Sequence, residues 1–438
     1  MSGLIIAAPK SGSGKTLIVA GLLRCLRRRG VRVAAAKCGP DYIDSTFHAL
    51  ASGVPCLNLD PWAMRPATLG VAVRDLERGA ELVLCEGVMG LFDGAGPSGE
   101  AGSTAELACL TGWPVVLAVD ASGQAASVAA LIEGFARHDP RVRLAGVILN
   151  RVASERHHAL LVSAIARSLP ELPVLGALPS DATLALPARH LGLVPAGEMG
   201  AAEAVMERAA ARIAEHIDVE RLAGLAGSTR MSRPDATMGL RPLGQRIAMA
   251  RDDAFLFTYE ATLAGWRRQG ATLSFFSPLA DKPPSPEADA IYLPGGYPEL
   301  HAGKLAAAEQ FLSGLRRAAA DGATIYSECG GYMVMGEALI DAKGEAHRMA
   351  GLLPLRTSFA QRLLHLGYRT ARLLAPGPLG DKTTRFRGHE FHYATIVSEG
   401  DAEPLFVLSD AGGSELGQAG LRRGAVMGSF IHLIDIED

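Results

Sequence analysis

Two groups of residues in this chain have the types and the spacing that chemistry needs. In the C-terminal half, Tyr326-Ser327-Glu328-Cys329-Gly330-Gly331 reads as a strand, a sharp turn and a helix starting near Tyr332. A cysteine on such an elbow is exposed beside a helix N-terminus, which favours the thiolate. Pro294-Gly295-Gly296-Tyr297-Pro298-Glu299 follows an earlier apolar run. Its backbone, at Gly296, pairs with the amide of Gly330 as a candidate oxyanion hole. The leading candidate for general base is His432, read as the end of a late apolar strand, with His389 and His392 as the alternatives. Each residue alone has a plainer reading, as a buried core thiol or a strand-end histidine. Together they describe attack of a thiolate on an amide, with release of ammonia and hydrolysis of a thioester.

The second group lies near the other end. Pro9-Lys10-Ser11-Gly12-Ser13-Gly14-Lys15-Thr16 follows an apolar run and opens a helical pattern. Gly12 and Gly14 let backbone N–H groups converge on phosphate oxygens at the positive end of the helix. Lys15 then reaches the terminal phosphates of a nucleotide such as ATP, and the Thr16 hydroxyl ligates Mg²⁺. Pro9 stands where the usual phosphate-loop motif begins with glycine, and Lys10 is the compensating cation. Acids for the metal and for a substrate are expected from three separate loops: Asp41 and Asp44, Glu86, and Asp93. Asn150, at the end of a further strand, is a candidate amide for an adenine edge.

These residues need a scaffold. Runs at Leu4–Ala8, Val31–Lys37, Glu81–Glu86, Pro114–Asp120, Leu144–Asn150 and Pro173–Leu178 are rich in Val, Ile and Leu without alternation. That is the pattern of strands buried on both faces of a parallel sheet. Helical patterns separate them, such as Thr16–Arg29 closed by Gly30, so the first half is expected to be a doubly wound α/β domain. Such sheets deliver residues like Glu86 to a ligand crevice at the carboxyl ends of their strands. Residues 222–245 carry Gly, Ser, Arg and Pro without an apolar period and are expected to link this domain, 1–221, to a second, 246–438. The second domain begins with Arg246–Arg251, Ala271–Phe276, Ala290–Leu293 and Ala323–Ser327. Later strands, Gly367–Leu373, Glu390–Val397, Leu405–Leu408 and Ala425–Ser429, are spaced for hairpins and predict a mixed sheet.

Composition narrows the class. The 438 residues suit two domains, with 48% hydrophobic and 20% charged residues and a net charge of −3. The Arg27-Arg28-Arg29 triplet closes a helix and is no nucleic-acid patch. Six cysteines without a C-x-x-C pair, no signal-peptide pattern and no membrane-length apolar run predict a cytoplasmic protein that binds neither nucleic acid nor membrane.

Four segments are more specific than either site motif. Lys37-Cys38-Gly39-Pro40-Asp41-Tyr42-Ile43-Asp44, Glu86-Gly87-Val88-Met89-Gly90-Leu91-Phe92-Asp93-Gly94, Leu293-Pro294-Gly295-Gly296-Tyr297-Pro298-Glu299-Leu300 and Gly388-His389-Glu390-Phe391-His392-Tyr393 resemble the cobyrinate/hydrogenobyrinate a,c-diamide synthases of cobalamin biosynthesis. The phosphate loop, with its extra Lys10, resembles those of dethiobiotin synthetases and partition ATPases. The resemblance covers essentially the whole chain. It implies an ATP-dependent amide synthetase domain fused to a class I-type glutaminase. In this reaction MgATP phosphorylates the a- and c-acetate carboxylates of hydrogenobyrinic or cobyrinic acid, and ammonia channelled from L-glutamine attacks each acyl phosphate. Carried over residue by residue, Cys329 and His432 are the nucleophile and base, and Lys10, Lys15, Thr16 and Glu86 fall at nucleotide and metal positions. Asp41 and Asp93 fall near the transferred phosphate and the substrate carboxylate, and Lys10 implies a homodimer in which it acts across the interface. The related alternatives are a cobyric acid synthase, which amidates other corrin side chains, and a nucleotide-switched partition ATPase. One departure stands out: many class I glutaminases carry Glu two residues after the histidine, where this chain has Ile434. Asp435, Glu437 or a backbone carbonyl remain to orient His432, and the third member of the triad is unassigned.

Overall fold

The computed structural model describes residues 2–181, 184, 188–189, 192–193, 200–232, 234 and 239–437. The chain forms two compact units, one of Met1–Trp62 with Pro66–Thr237 and one of Ala63–Arg65 with Met238–Asp438.

In the first unit the six apolar runs become β1 (Ser2–Ala7), β2 (Val33–Cys38), β4 (Leu82–Glu86), β5 (Val115–Asp120), β6 (Leu144–Val152) and β7 (Val174–Pro179), and a short strand not expected from the sequence, β3 (Leu57–Leu59), joins them. They pair in parallel in the order β3-β2-β4-β1-β5-β6-β7. Leu4, Ile5 and Ile6 of β1 are fully buried, and each contributes about 1.5–3 kcal/mol by leaving water. Strand order reverses direction around β1, whose neighbours are β4 and β5. The carboxyl ends of β1 and β4 therefore meet at the switch point, the place where a doubly wound sheet opens a crevice. Helix α1 (Lys15–Arg28) starts directly after the loop, and the Arg28-Arg29 end is followed by Gly30 at φ 80°.

The segment expected to be a loop-like linker is more ordered at its start than its composition suggests. Its Leu222 is fully buried at the end of a short helix (Val219–Gly224), and β8 (Gly227–Ser228) adds to β1 in antiparallel. Thr229 then accepts from the Trp113 indole (2.9 Å) and donates to Glu77 (2.5 Å). Residues 233 and 235–238 of that segment lie outside the described residues.

The second unit is built on a ten-stranded sheet. Its strands are β9 (Arg246–Ala250), β10 (Thr272–Phe276), β11 (Ala290–Leu293), β12 (Thr324–Glu328), β13 (His365–Leu373), β14 (Arg385–His392), β15 (Glu403–Asp410), β16 (Glu415–Arg423), β17 (Val426–Ser429) and β18 (Ile431–Ile436). The order is β10-β9-β11-β12-β17-β16-β15-β13-β14-β18, parallel up to β17 and antiparallel beyond it. A single residue, Phe430, joins β17 in mid-sheet to β18 at the edge, so the sheet has to curl back on itself. That curl delivers His432 to the end of β12.

Two sequence expectations are corrected here. His432 is the second residue of β18 and does not end a strand. The run Glu390–Val397 is two strands: β14 ends at His392, and Thr395–Glu399 joins a separate four-stranded sheet by pairing with Leu355–Ser358.

Candidate active site

Beyond the carboxyl end of β1 lies a cavity of about 810 Å³, lined among others by Gly12, Gly14, Lys15, Thr16, Lys37, Asp41, Asp44, Glu86 and Asn150. Gly12 and Gly14 take φ of 77° and 89°, the left-handed conformation expected of a phosphate loop. The Thr16 hydroxyl donates to Glu86 Oε1 (2.9 Å), and Lys15 Nζ donates to the Met89 carbonyl (2.6 Å). Asn150 behaves differently from a free adenine ligand. Its Nδ2 donates to Ser13 O (2.9 Å) and its Oδ1 accepts from Arg151 N (2.9 Å), while Arg151 Nη2 donates to Gly12 O (3.0 Å). The end of β6 thus ties down two carbonyls of the phosphate loop.

The acids divide in the same way. Asp41 lines the cavity, but its Oδ1 accepts from the N–H groups of Ile43 (2.8 Å) and Asp44 (3.0 Å) at the start of α2 (Ile43–Ser52). Asp93 is exposed, closes its own turn by accepting from Gly90 N (2.9 Å), and is absent from the cavity lining. Lys10 is exposed, with its carbonyl accepting from the Ser13 hydroxyl (2.9 Å).

Two residues that the motifs did not single out complete the cluster. Lys37 is buried at the end of β2, 3.7 Å from Asp44, and donates to Gly87 O (3.2 Å). His48, fully buried on α2, places Nε2 2.5 Å from Glu86 Oε2. Burial favours the neutral form of every group here; neighbouring charges overcome it at Glu86 and Lys37 but not at Asp44 and Lys15. Glu86 is driven down to about 2 against its burial by Lys37, by the hydrogen bond from His48 and by Lys15. Lys37 is raised despite burial because Glu86, Asp44 and Asp41 surround it. Asp44 is pushed up by burial and then by Asp41 and Glu86, and Lys15 is lowered by burial. Three carboxylates crowd two ammonium groups, and the oxygen donors Thr16 and Glu86 fit a hard divalent cation.

In the second unit Cys329 sits between β12 and a short helix (Gly330–Met335) with φ 47° and ψ −107°, a conformation that few side-chain-bearing residues adopt. Its N–H is anchored to Ser429 O (2.8 Å), and its thiol faces Phe391 O (3.8 Å). Cys329 is buried, not exposed as the elbow motif predicts, and burial, reinforced by Glu299, pushes the resting thiol up instead of favouring the thiolate, so a base is needed to ionise it. The imidazole of His432, the candidate base, lies near it. A methyl group on Gly295 would lie 2.4 Å from His432 Cε1, 3.2 Å from His432 Nε2 and 3.2 Å from Cys329 Cβ, so imidazole and cysteine both border the Cβ position of one glycine. A Cβ on Gly330 would lie 3.0 Å from the Gly296 nitrogen, which brings the two expected oxyanion-hole amides together.

The other histidines have other surroundings. His389 pairs across the ladder with His432, and burial followed by the His432 charge drives it down to about 3, so it is neutral. His392 stacks on Phe430 (3.8 Å between centroids) and holds Glu390 at 3.0 Å. Neither acid suggested for orienting His432 does so. Asp435 is gripped by Arg65 N, Nε and Nη2 at 3.0–3.1 Å, and Glu437 pairs with Arg385 (2.5 Å) and Arg387 (3.2 Å). The acid nearest His432 in this respect is Glu328, 3.7 Å from Nδ1.

A phosphate-loop α/β unit and an elbow thiol with an imidazole define a nucleotide-using ligase joined to a glutamine amidotransferase. Residues 4–194 match the CobQ/CobB/MinD/ParA nucleotide binding domain family, and residues 246–437 match the CobB/CobQ-like glutamine amidotransferase domain family. Relatives named hydrogenobyrinate a,c-diamide synthase match end to end. The Brucella anthropi protein is 55% identical over 442 residues, covering 99% of both chains, and the Rhizobium meliloti protein is 54% identical over 442 residues, covering 100% of both. The Rhodobacter capsulatus protein is 53% identical over 435 residues, covering 99% of this chain and 98% of that one. The chain belongs to the cobyrinate/hydrogenobyrinate a,c-diamide synthase family, the glutamine-dependent amidating ligases of cobalamin biosynthesis.

Proposed function

We propose that this chain amidates the a- and c-acetate carboxylates of hydrogenobyrinic acid, with ATP activating each carboxylate and L-glutamine supplying nitrogen. The observation that carries this reading is the presence, in one chain, of a phosphate loop backed by Lys15, Thr16 and Glu86 and an elbow cysteine walled by His432. The chemistry requires both. A carboxylate does not react with ammonia near neutral pH until it is made electrophilic, and ammonia in water near neutral pH is mostly ammonium.

In the glutaminase, His432 Nε2 takes the Cys329 proton and the sulfur attacks the glutamine amide carbon. The N–H groups of Gly296 and Gly330 stabilise the resulting oxyanion. The imidazolium returns its proton to the departing nitrogen, ammonia leaves, and water hydrolyses the glutamyl thioester. In the synthetase, a substrate carboxylate oxygen attacks the terminal phosphorus of ATP, ADP leaves, and ammonia displaces phosphate from the acyl phosphate. Lys15 steadies the charge on the transferred phosphoryl group. Thr16 and Glu86 hold Mg²⁺, which when bound offsets phosphate charge. Asp41 and Asp44 line the side of the cavity where the substrate carboxylate is received, and the exposed Lys10 is suited to reaching the nucleotide of a second copy in a homodimer.

The test is mass analysis of the product after incubation with ATP, glutamine and either the cobalt-free or the cobalt-containing acid. The expected product is the cobalt-free diamide. Four added amides, as a cobyric acid synthase gives, or amidation of the cobalt-containing acid alone, contradicts the reading.

A further inference from the structure

We propose that Glu328, the residue immediately before the nucleophile, orients His432 and balances its charge, completing a Cys329–His432–Glu328 triad. The inference rests on Cys329 being the glutaminase nucleophile. It begins from the geometry of the imidazole. The three atoms nearest the Cβ position of Gly295 are His432 Cε1 (2.4 Å), His432 Nε2 (3.2 Å) and Cys329 Cβ (3.2 Å), so the Nε2 edge of the ring, and not Nδ1, borders the same glycine as the cysteine. Nδ1 lies 3.7 Å from Glu328 Oε2. A proton held on Nδ1 by a carboxylate leaves Nε2 bare, which is the tautomer that can accept the thiol proton.

The carboxylate is itself fixed. Glu328 is 3% exposed; its Oε1 accepts from Leu433 N (3.0 Å) and its Oε2 from the Tyr292 hydroxyl (2.7 Å). Burial, and then the Glu328 charge, push the Tyr292 phenol well up, so it stays protonated and keeps donating. The 3.7 Å gap is longer than a hydrogen bond, as resting catalytic pairs often are, and positive charge on His432 draws the pair together. His389, paired opposite His432, is neutral and adds no competing charge.

Strand geometry explains how neighbours in sequence serve one imidazole from two sides. Glu328 ends β12 and Cys329 turns the elbow at φ 47°, and the two side chains have separate partners, Tyr292 and Leu433 N for the carboxylate and Phe391 O for the thiol. The curl through Phe430 then lays the start of β18 across the end of β12. The position two residues after His432 is filled by buried Ile434, and the carboxylate comes from the elbow strand instead. Glu328 is a positioning residue, acting through His432.

The test compares Glu328→Gln with Glu328→Asp in steady-state glutaminase assays, with Cys329→Ala as a control. The Gln variant keeps the shape and loses the charge; the Asp variant keeps the charge at a greater distance. The expected result is a fall in kcat of about a hundredfold or more for Glu328→Gln, with KM for glutamine within threefold. Glu328→Asp is expected to keep at least ten times the kcat of the Gln variant. A Gln variant as active as the Asp variant, or a tenfold rise in KM in step with the loss, assigns a merely structural role and overturns the proposal. If Cys329→Ala abolishes glutaminase activity while Glu328→Gln stays within threefold of wild type, the nucleophile stands and the triad falls. If Cys329→Ala retains activity, the underlying reading fails first.

Discussion

The substitution Gly295→Ala tests the glutaminase geometry at its narrowest point. The added methyl would sit 2.4 Å from His432 Cε1 and 3.2 Å from both His432 Nε2 and Cys329 Cβ. Ordinary contact begins near 3.4 Å, so the imidazole has to retreat by about 1 Å. It has little room to do so. His432 is fully buried, is paired with β14, and has Phe257 at 6.4 Å between ring centroids. Gly295 has no positive φ that alanine would resist, so the effect is steric rather than conformational. A displacement of this size between base and nucleophile costs about a hundredfold in rate, or about 2.7 kcal/mol of barrier. Overpacking costs a further ~1–3 kcal/mol of stability in this unit. The assay is paired: amidation driven by glutamine and amidation driven by an ammonium salt, with the same nucleotide and acid. Glutamine-driven amidation is expected to fall about a hundredfold, while the ammonium-driven rate persists. Glutamine-driven activity within twofold of wild type would refute the arrangement of His432 and Cys329 around Gly295.

Four further outcomes follow from the same geometry. Lys15→Ala is expected to abolish amidation from glutamine and from ammonium alike, by removing the only buried ammonium on the phosphate loop among the described residues, while glutamine hydrolysis continues; a shared assay of ATP consumption and glutamate release separates the two. Lys37→Met leaves Glu86 and Asp44 buried without the cation that most favours their charged forms and is expected to cost about 3 kcal/mol, read from urea unfolding at neutral pH. Glu86 is depressed from 4.5 to about 2 on folding, so the stabilisation it provides is full above its unfolded value and is lost as pH falls from about 4.5 towards 2; Glu86→Gln is expected to flatten the stability profile in that window. Because burial raises the resting Cys329 thiol, alkylation by iodoacetamide without glutamine is expected to keep accelerating beyond pH 9 in a mass-spectrometric time course, and a plateau near neutral pH would contradict the resting state described.

The elements that local pattern dictates were legible in the sequence. The run of β1, the left-handed loop glycines and the opening of α1 are consecutive, and each is set by residues next to one another. The same holds for β12, the elbow and the glycines after it. What local pattern does not contain is the company a residue keeps across a fold. Glu328 stood in the quoted motif, yet its partner is reached only through the curl of a ten-stranded sheet, set by long-range pairing. Lys37 carried a signal that was available, a lone cation in an otherwise apolar buried strand, where a charge demands partners. Asn150 lines the expected cavity, and its hold on Ser13 O is not legible in the sequence because that carbonyl belongs to a loop far away in the chain. Asp93 shows the converse: an acid in a characteristic segment that spends its oxygen on its own turn. The strand Leu57–Leu59 leaves no signature in the sequence because three residues carry no periodicity.

The most direct measurement of the central claim follows nitrogen from source to product. Glutamine labelled with heavy nitrogen at the side-chain amide is supplied to wild type and to Cys329→Ala, with ATP and the corrin acid, and the product is weighed. Label in both new amides with wild type, none with the variant, and full amidation by the variant from ammonium is the predicted result. Heavy amides formed by Cys329→Ala, or wild-type product whose nitrogen comes only from the medium, would contradict it.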